Sequence, residues 1–269
     1  LNAFRKMNVS IEESEENILC TTSGLKGEDI YLDFPSVGAT ENIILAAVLA
    51  KGVTTIRNAA KEPEIIELCR FLRKMGASII GDGTDVILIK GVSSLHGVEY
   101  QVMCDRIVLG TYIAAVAGAG GEADIKVNCV SQLDEVCKVY SQMGVTIRPT
   151  DDGLYVQSSG KLNKVELIRT RPYPGFPTDM QPQATALLAL STGTSVVTES
   201  IFENRFKYVD ELNRMGANIM VEGNSAIIDG VDGFTGAVVS APDLRAGAAL
   251  VIAALVADGF TLVDQIHYV

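Results

Sequence analysis

The sequence predicts a layered α/β fold assembled from several copies of one compact unit, and three observations carry that prediction. The 269 residues are 48% hydrophobic but contain no tryptophan and only 6% aromatic residues. Their core is therefore aliphatic, which suits helices packed on sheets. Four short stretches resemble one another: Lys-Met-Asn-Val-Ser-Ile at 6–11, Lys-Met-Gly-Ala-Ser-Ile at 74–79, Gln-Met-Gly-Val-Thr-Ile at 142–147 and Arg-Met-Gly-Ala-Asn-Ile at 214–219. Their methionines, at 7, 75, 143 and 215, are spaced by 68, 68 and 72 residues. Such a period describes a supersecondary unit rather than one turn of a thin solenoid.

Each copy reads alike. Before the second methionine, Ile65, Leu68, Cys69, Leu72 and Met75 fall on one helical face. Gly76 follows where a helix closes through a left-handed residue. A hairpin comes next, with strands at 77–80 and 86–89 around Gly81-Asp82-Gly83. The third copy turns at Asp151-Asp152-Gly153 and the fourth at Glu222-Gly223-Asn224. The other half of each unit is a helix rich in Ala and Leu, then a glycine (Gly52, Gly120 or Gly121, Gly193, Gly259), then a strand such as Val53-Thr54-Thr55-Ile56. One unit is thus helix, strand, helix, strand, strand.

About fifteen residues before those glycines stand Ser36, Asp105, Thr178-Asp179 and Asp243, all of N-cap type. Repetition makes these four helix starts equivalent and points them at a common region. Free N–H groups and a partial positive charge there, with Arg106 and Arg245 beside two of them, predict a site for phosphorylated compounds. The net charge of −11 argues against nucleic acid or an anionic membrane as partner. Five cysteines (20, 69, 104, 129, 137), none in CxxC spacing, argue against a disulfide framework or zinc site and for a reducing cytoplasm. Two histidines, His96 and His267, leave little for a metal cluster, and no cofactor is expected. The longest apolar run, 246–257, is too short for a bilayer and reads as a buried helix.

Particular strings carry a resemblance. Phe34-Pro35-Ser36-Val37-Gly38-Ala39-Thr40-Glu41-Asn42, Asn58-Ala59-Ala60-Lys61-Glu62-Pro63-Glu64-Ile65, Pro174-Gly175-Phe176-Pro177-Thr178-Asp179-Met180-Gln181, Ile201-Phe202-Glu203-Asn204-Arg205-Phe206 and Asp243-Leu244-Arg245-Ala246 resemble, in order, the UDP-N-acetylglucosamine 1-carboxyvinyltransferases, members of the enolpyruvyl transferase family. The resemblance implies an inside-out α/β barrel of repeated βαβαββ units in two domains, one incomplete here: residues 1–103 match the later part of the first domain and 104–269 most of the second. It implies a bacterial cytoplasmic enzyme of peptidoglycan synthesis, monomeric rather than an obligate oligomer. Its substrates would be phosphoenolpyruvate and UDP-N-acetylglucosamine, joined at the sugar 3-hydroxyl with loss of phosphate. The sibling acting on 3-phosphoshikimate and a non-catalytic nucleotide-sugar binder are the alternatives.

By the same resemblance Asp179 is the general base at the sugar hydroxyl, Arg245 binds phosphoenolpyruvate and Asp243 orders the site. Phe34, Pro35, Ser36, Val37 and Gly38 cradle the UDP moiety, Ile201 and Phe202 contact the nucleotide sugar, and Glu62, Glu64, Arg106 and Arg205 line or brace the cleft. The family's Pro-Gly-Gly-Cys string is not among these residues. The first residue is Leu, and a cut N-terminus with little turnover by this chain alone is expected.

Overall fold

The computed structural model describes residues 1–268. The chain divides into two compact units, Leu1–Val102 and a second from Met103 onward. The first begins with α1 (Asn2–Lys6) and a hairpin of β1 (Ser10–Glu13) and β2 (Ile18–Thr21). It continues as β3 (Asp29–Tyr31), α2 (Val37–Ala47), β4 (Val53–Arg57), α3 (Pro63–Lys74), β5 (Ser78–Ile80) and β6 (Val86–Lys90). The four strands form one sheet ordered β3-β4-β6-β5, with β3 parallel to β4 and the rest antiparallel. Along β4 and β6 alternate residues point inward, so Ile56 and Ile87 sit opposite each other, both wholly buried. Ile43 and Ile44 of α2 and Ile65 and Leu72 of α3 complete that core.

The second unit repeats the plan. It runs α4 (Arg106–Ala119), β7 (Gly121–Lys126), α5 (Asp134–Gln142), β8 (Thr146–Thr150) and β9 (Gly153–Ser158). After the two-residue β10 (Leu162–Asn163) come β11 (Leu167–Arg169), α6 (Gln181–Leu188), the two-residue β12 (Ser191–Thr192), β13 (Thr194–Thr198), α7 (Val209–Arg214), β14 (Asn218–Glu222) and β15 (Ser225–Asp229). Last are β16 (Val238–Ser240), α8 (Leu244–Val256) and β17 (Leu262–Asp264). The sheet order β11-β13-β15-β14 is that of the first unit, again with its first pair parallel. The leading parallel strand is what the helix-first reading of the repeat lacked. At three residues, β3 and β11 are too short to show period-two alternation.

Two helix classes divide the labour. The second helix of each repeat, α3, α5 and α7, lays one apolar face on a sheet and shows its charged face to solvent. The alanine-rich helices carry few charges and bury most of their surface, although α2, α4 and α8 leave Leu45, Tyr112 and Leu255 exposed. All eight residues of α6 are buried, and α4, α6 and α8 pack against one another. Small residues make this close approach possible. A Cβ on Gly110 of α4 would lie 2.7 Å from Met180 Sδ, and one on Gly118 would lie 3.2 Å from Leu187.

The repeated methionine segment is a helix-closing device. Gly76, Gly144 and Gly216 have φ between +95° and +101°, and Asn8 takes the equivalent place at +71°. In each copy the following amide bonds back to the carbonyl five residues earlier, Ala77 to Leu72, Val145 to Tyr140, Ala217 to Leu212 and Val9 to Phe4, at 3.0–3.1 Å. Only a residue tolerant of positive φ can stand there.

One expectation fails. Cys104 and Cys129 are bonded to each other, with Cα atoms 6.1 Å apart. They lie 25 residues apart in sequence, one just before α4 and one after β7. Tertiary packing rather than spacing brings them together. Cys69 is buried, Cys137 half-buried and Cys20 exposed. Burial pushes the Cys69 thiol up to about 12 and the Cys137 thiol up to about 11, so neither is a ready nucleophile. Among the described residues no helix is long and apolar enough to cross a membrane.

Candidate functional site

In the first unit the predicted cradle is the start of α2. Ser36 caps it as expected, its Oγ accepting from the Ala39 amide at 3.3 Å. That leaves the Val37 and Gly38 amides at the open end of the helix. A Cβ placed on Gly38 would meet nothing within 4 Å, so this glycine serves no packing need and keeps the helix start uncovered. Phe34 is exposed beside it. The two motif strings of this unit touch. Thr40 Oγ1 accepts from the Ala60 amide at 3.1 Å, and Asn58 Nδ2 donates to the Leu32 carbonyl at 2.8 Å. They hold Glu62, which is buried, and Glu64, in the first turn of α3, near Glu41. The Glu41 carboxyl is raised by its partial burial, with the charges of Glu64 and Glu62 adding to the shift.

In the second unit three helix starts carry the remaining candidates. Asp105 caps α4 through the amides of Ile107 (2.7 Å) and Val108 (3.1 Å). Asp243 caps α8 through those of Arg245 and Ala246, both at 2.9 Å. The expectation for the third start is wrong. Neither Thr178 nor Asp179 caps α6, which is entered through a 3₁₀ turn over Thr178–Met180. The extra turn rotates the Asp179 carboxylate away from the helix amides and toward two arginines. Its Oδ1 accepts from Arg205 at 2.6 Å, and its Oδ2 accepts from Arg245 at 3.3 Å.

Arg205 is only 6% exposed. It also donates to the Thr178 carbonyl at 3.2 Å and lies over the Phe202 ring, 4.7 Å from the centroid. The structure thus gathers Asp179, Arg205, Arg245 and Asp243 into one cluster, with Ile201 and Phe202 alongside. Arg106, also buried, stands over the Tyr173 ring at 5.7 Å. A cavity of about 620 Å³ opens next to the cluster, lined by Glu199, Ile201, Phe202, Arg205, Asp210 and Asn224 among others.

One residue at this cluster escaped the sequence reading. Glu199, 4% exposed, accepts from four donors at once. Its Oε1 takes Thr170 Oγ1 (2.8 Å), the Ile201 amide (2.8 Å) and the Phe202 amide (3.0 Å), and its Oε2 takes Thr178 Oγ1 (2.9 Å). A charged residue directly after β13 and two before Ile201 was the signal available. Among the described residues no cluster of three His, Cys, Asp or Glu is arranged to hold a metal.

Comparisons with known proteins bear on this geometry. A family model described as EPSP synthase (3-phosphoshikimate 1-carboxyvinyltransferase) matches residues 1–269. The chain is 49% identical over 269 residues to UDP-N-acetylglucosamine 1-carboxyvinyltransferase 2 of Caldanaerobacter subterraneus subsp. tengcongensis, covering 100% of this chain and 64% of the relative. It is 47% identical over 270 residues to UDP-N-acetylglucosamine 1-carboxyvinyltransferase of Acinetobacter baylyi, covering 100% and 65%. The chain therefore spans somewhat less than two thirds of the length of these relatives. Among solved structures, the enolpyruvyl transferase NikO from Streptomyces tendae superposes with a TM-score of 0.88 at 24% identity, over 100% of this chain and 66% of that one. EPSP synthase from Acinetobacter baumannii gives 0.70 at 21%, over 99% and 65%. Both likenesses establish the fold, an α/β architecture of the enolpyruvyl transferase type.

Proposed function

The chain belongs to the EPSP synthase family, and from that premise we propose that it serves the transfer of the enolpyruvyl group of phosphoenolpyruvate to the 3-hydroxyl of UDP-N-acetylglucosamine, the first committed step of peptidoglycan synthesis in the bacterial cytoplasm. Two things favour the nucleotide sugar over 3-phosphoshikimate. The relatives near 50% identity carry the former name, and the Ser-Val-Gly-Ala-Thr-Glu-Asn and Pro-Gly-Phe-Pro-Thr-Asp-Met-Gln strings are whole. Residues 1–103 then belong to the later part of the first domain and 104–269 to most of the second.

The observation that carries the reading is Asp179, a carboxylate excused from capping and held between Arg205 and Arg245. Its two contacts are unequal. The bond to Arg205 is short and comes from a buried side chain; the bond to Arg245 is long and comes from a more exposed one. Arg245 is therefore the partner free to turn toward an arriving anion. Phosphoenolpyruvate would draw it off and release Oδ2 to accept the proton of the sugar 3-hydroxyl. The hydroxyl oxygen then bonds to C2 of phosphoenolpyruvate while the C3 methylene takes up a proton from a general acid that is not among these residues. Return of a methyl proton to that group and departure of phosphate from C2 re-form the C2–C3 double bond and leave the enolpyruvyl ether. Arg205 keeps Oδ1 and so fixes the direction in which Asp179 faces. Within the second unit Ile201 and Phe202 would meet the sugar. Taken by itself, the first unit offers the Val37 and Gly38 amides, with Phe34 and Pro35 beside them, as a helix start suited to a diphosphate. Glu62, Glu64 and Arg106 would line or brace the site.

Calorimetric titration of the full chain separates this reading from its nearest rival. UDP-N-acetylglucosamine is expected to bind and shikimate 3-phosphate to give no heat. The reverse preference would overturn the proposal, and binding without phosphate release by the complete protein would leave only a nucleotide-sugar binder.

A further inference from the structure

We propose that Glu199 is a positioning residue that couples the Asp179 turn to the Ile201-Phe202 segment, so that both halves of the site are set by one buried carboxylate. The proposal rests on the functional reading above for what the site holds, but its physical content is independent of it.

Three features single Glu199 out. It is 4% exposed in a unit whose other acidic side chains mostly face solvent or arginines, and a buried carboxyl is costly unless its oxygens are satisfied. Its four hydrogen-bond donors are neutral groups, two hydroxyls and two backbone amides. The charge is therefore held by oriented dipoles rather than by a counter-ion, an arrangement that fixes geometry. Finally, its partners lie on both sides of the site. Thr178 immediately precedes Asp179, and the Ile201 and Phe202 amides start the segment that leads into Arg205.

The chain between Glu199 and Arg205 contains no α-helix or strand of its own, and Asn204 takes a left-handed conformation there (φ +55°). Such a segment needs side-chain anchors to hold one shape. Glu199 supplies two to the backbone. Thr170 extends the anchorage. Its Oγ1 accepts from the Ser200 amide at 2.8 Å, and its carbonyl accepts from the Ser200 hydroxyl. With their amides committed to Glu199, Ile201 and Phe202 can offer a ligand only their carbonyls and side chains. The segment thus reads as an acceptor surface, suited to hydroxyl or amide hydrogens of a sugar and unsuited to phosphate.

The test compares Glu199→Ala, Glu199→Gln and Thr178→Val in the full chain by two measurements, amide hydrogen exchange and calorimetric titration with UDP-N-acetylglucosamine. Glutamine is the conservative rescue. Its oxygen can keep the Thr170, Ile201 and Phe202 donors while its amide nitrogen donates to the Thr178 hydroxyl, which turns to accept. Glu199→Gln is expected to keep exchange protection at Ile201 and Phe202 and affinity within about threefold of the parent. Glu199→Ala is expected to lose that protection and at least tenfold in affinity, and Thr178→Val to lose affinity while leaving the Ile201 and Phe202 amides protected. If Glu199→Ala folds with both amides protected and affinity within twofold, Glu199 positions nothing. If Glu199→Ala does not fold, Glu199→Gln and Thr178→Val decide. Unchanged affinity in Thr178→Val overturns the coupling. If the parent chain fails to bind the nucleotide sugar while Glu199→Ala still loses protection, the functional reading fails and the positioning role stands.

Discussion

At the start of α8, Asp243 turns its Oδ1 back onto the amides of Arg245 and Ala246. At the start of α6, the corresponding Asp179 turns outward and meets Arg205 and Arg245. The two aspartates stand at equivalent points of one repeated unit, yet the first completes a helix and the second is left partly exposed between two arginines. The difference comes from a single 3₁₀ turn inserted before α6. Repetition supplies a set of helix starts, and a local change of backbone converts one of them from a cap into a chemical group. Asp179 is 40% exposed at its side chain while the arginine that aims it is nearly buried, the combination expected of a group aimed from below and approached from above.

The contrast can be sharpened by removing each partner in turn. Arg205→Ala is expected to cost most, about 2–3 kcal/mol of unfolding free energy in urea, because a buried stem and charged hydrogen bonds are lost together. Arg245→Ala, with one long and partly exposed contact, should cost less than about 1 kcal/mol. Equal losses would mean that the two arginines hold Asp179 alike. Next, Asp243→Ala removes a cap with two accepted amides and should cost about 1–2 kcal/mol. No loss there would erase the distinction between the two helix starts.

The first unit offers a control in which an aspartate has only a structural task. Asp82, in the hairpin turn, pairs with Arg73 of α3 at 2.7 and 3.0 Å. The Arg73 hydrogen bond holds its carboxyl below the usual range. A lowered folded-state value stabilises the protein above the unfolded-state value and ceases to do so as pH falls through the folded one. Asp82→Asn should therefore cost about 1 kcal/mol at neutral pH, and the gap from the parent should close below about pH 4. A gap that persists in acid would assign the loss to packing instead. The smallest effect is expected at Gly38→Ala. Added helix propensity without a clash should leave stability unchanged or raise it by up to about 1 kcal/mol, while the new methyl group obstructs the helix start and weakens nucleotide-sugar binding. Undiminished affinity would show that this helix start holds no ligand.

How much of this was legible in the sequence follows from the range of the forces involved. The methionine–glycine closures, the hairpin turns and the Ser36, Asp105 and Asp243 caps are local, each decided within about six residues, and all were readable. The identity of the site rested on strings that touch in space, such as 36–40 with 58–62, and could be read only as a resemblance. Four features were not legible in local patterns. The parallel strands β3 and β11 are too short to leave a periodic trace. The Cys104–Cys129 bond joins segments that only the fold brings together. Asp179 looked like a cap because its residue type fits one, and its partners lie 26 and 66 residues away. Glu199 was invisible for the same reason, since two of its four donors come from elements 21 and 29 residues earlier.

The central claim is that Asp179 faces a substrate rather than a helix. The most direct test is Asp179→Asn in the complete protein, with unfolding free energy and phosphoenolpyruvate-dependent phosphate release measured on the same sample. The expected result is a stability change below about 1 kcal/mol with turnover reduced at least about 100-fold, the range for loss of a general base. A variant that loses more than that in stability while its folded fraction releases phosphate at the parent rate would return Asp179 to an ordinary structural role.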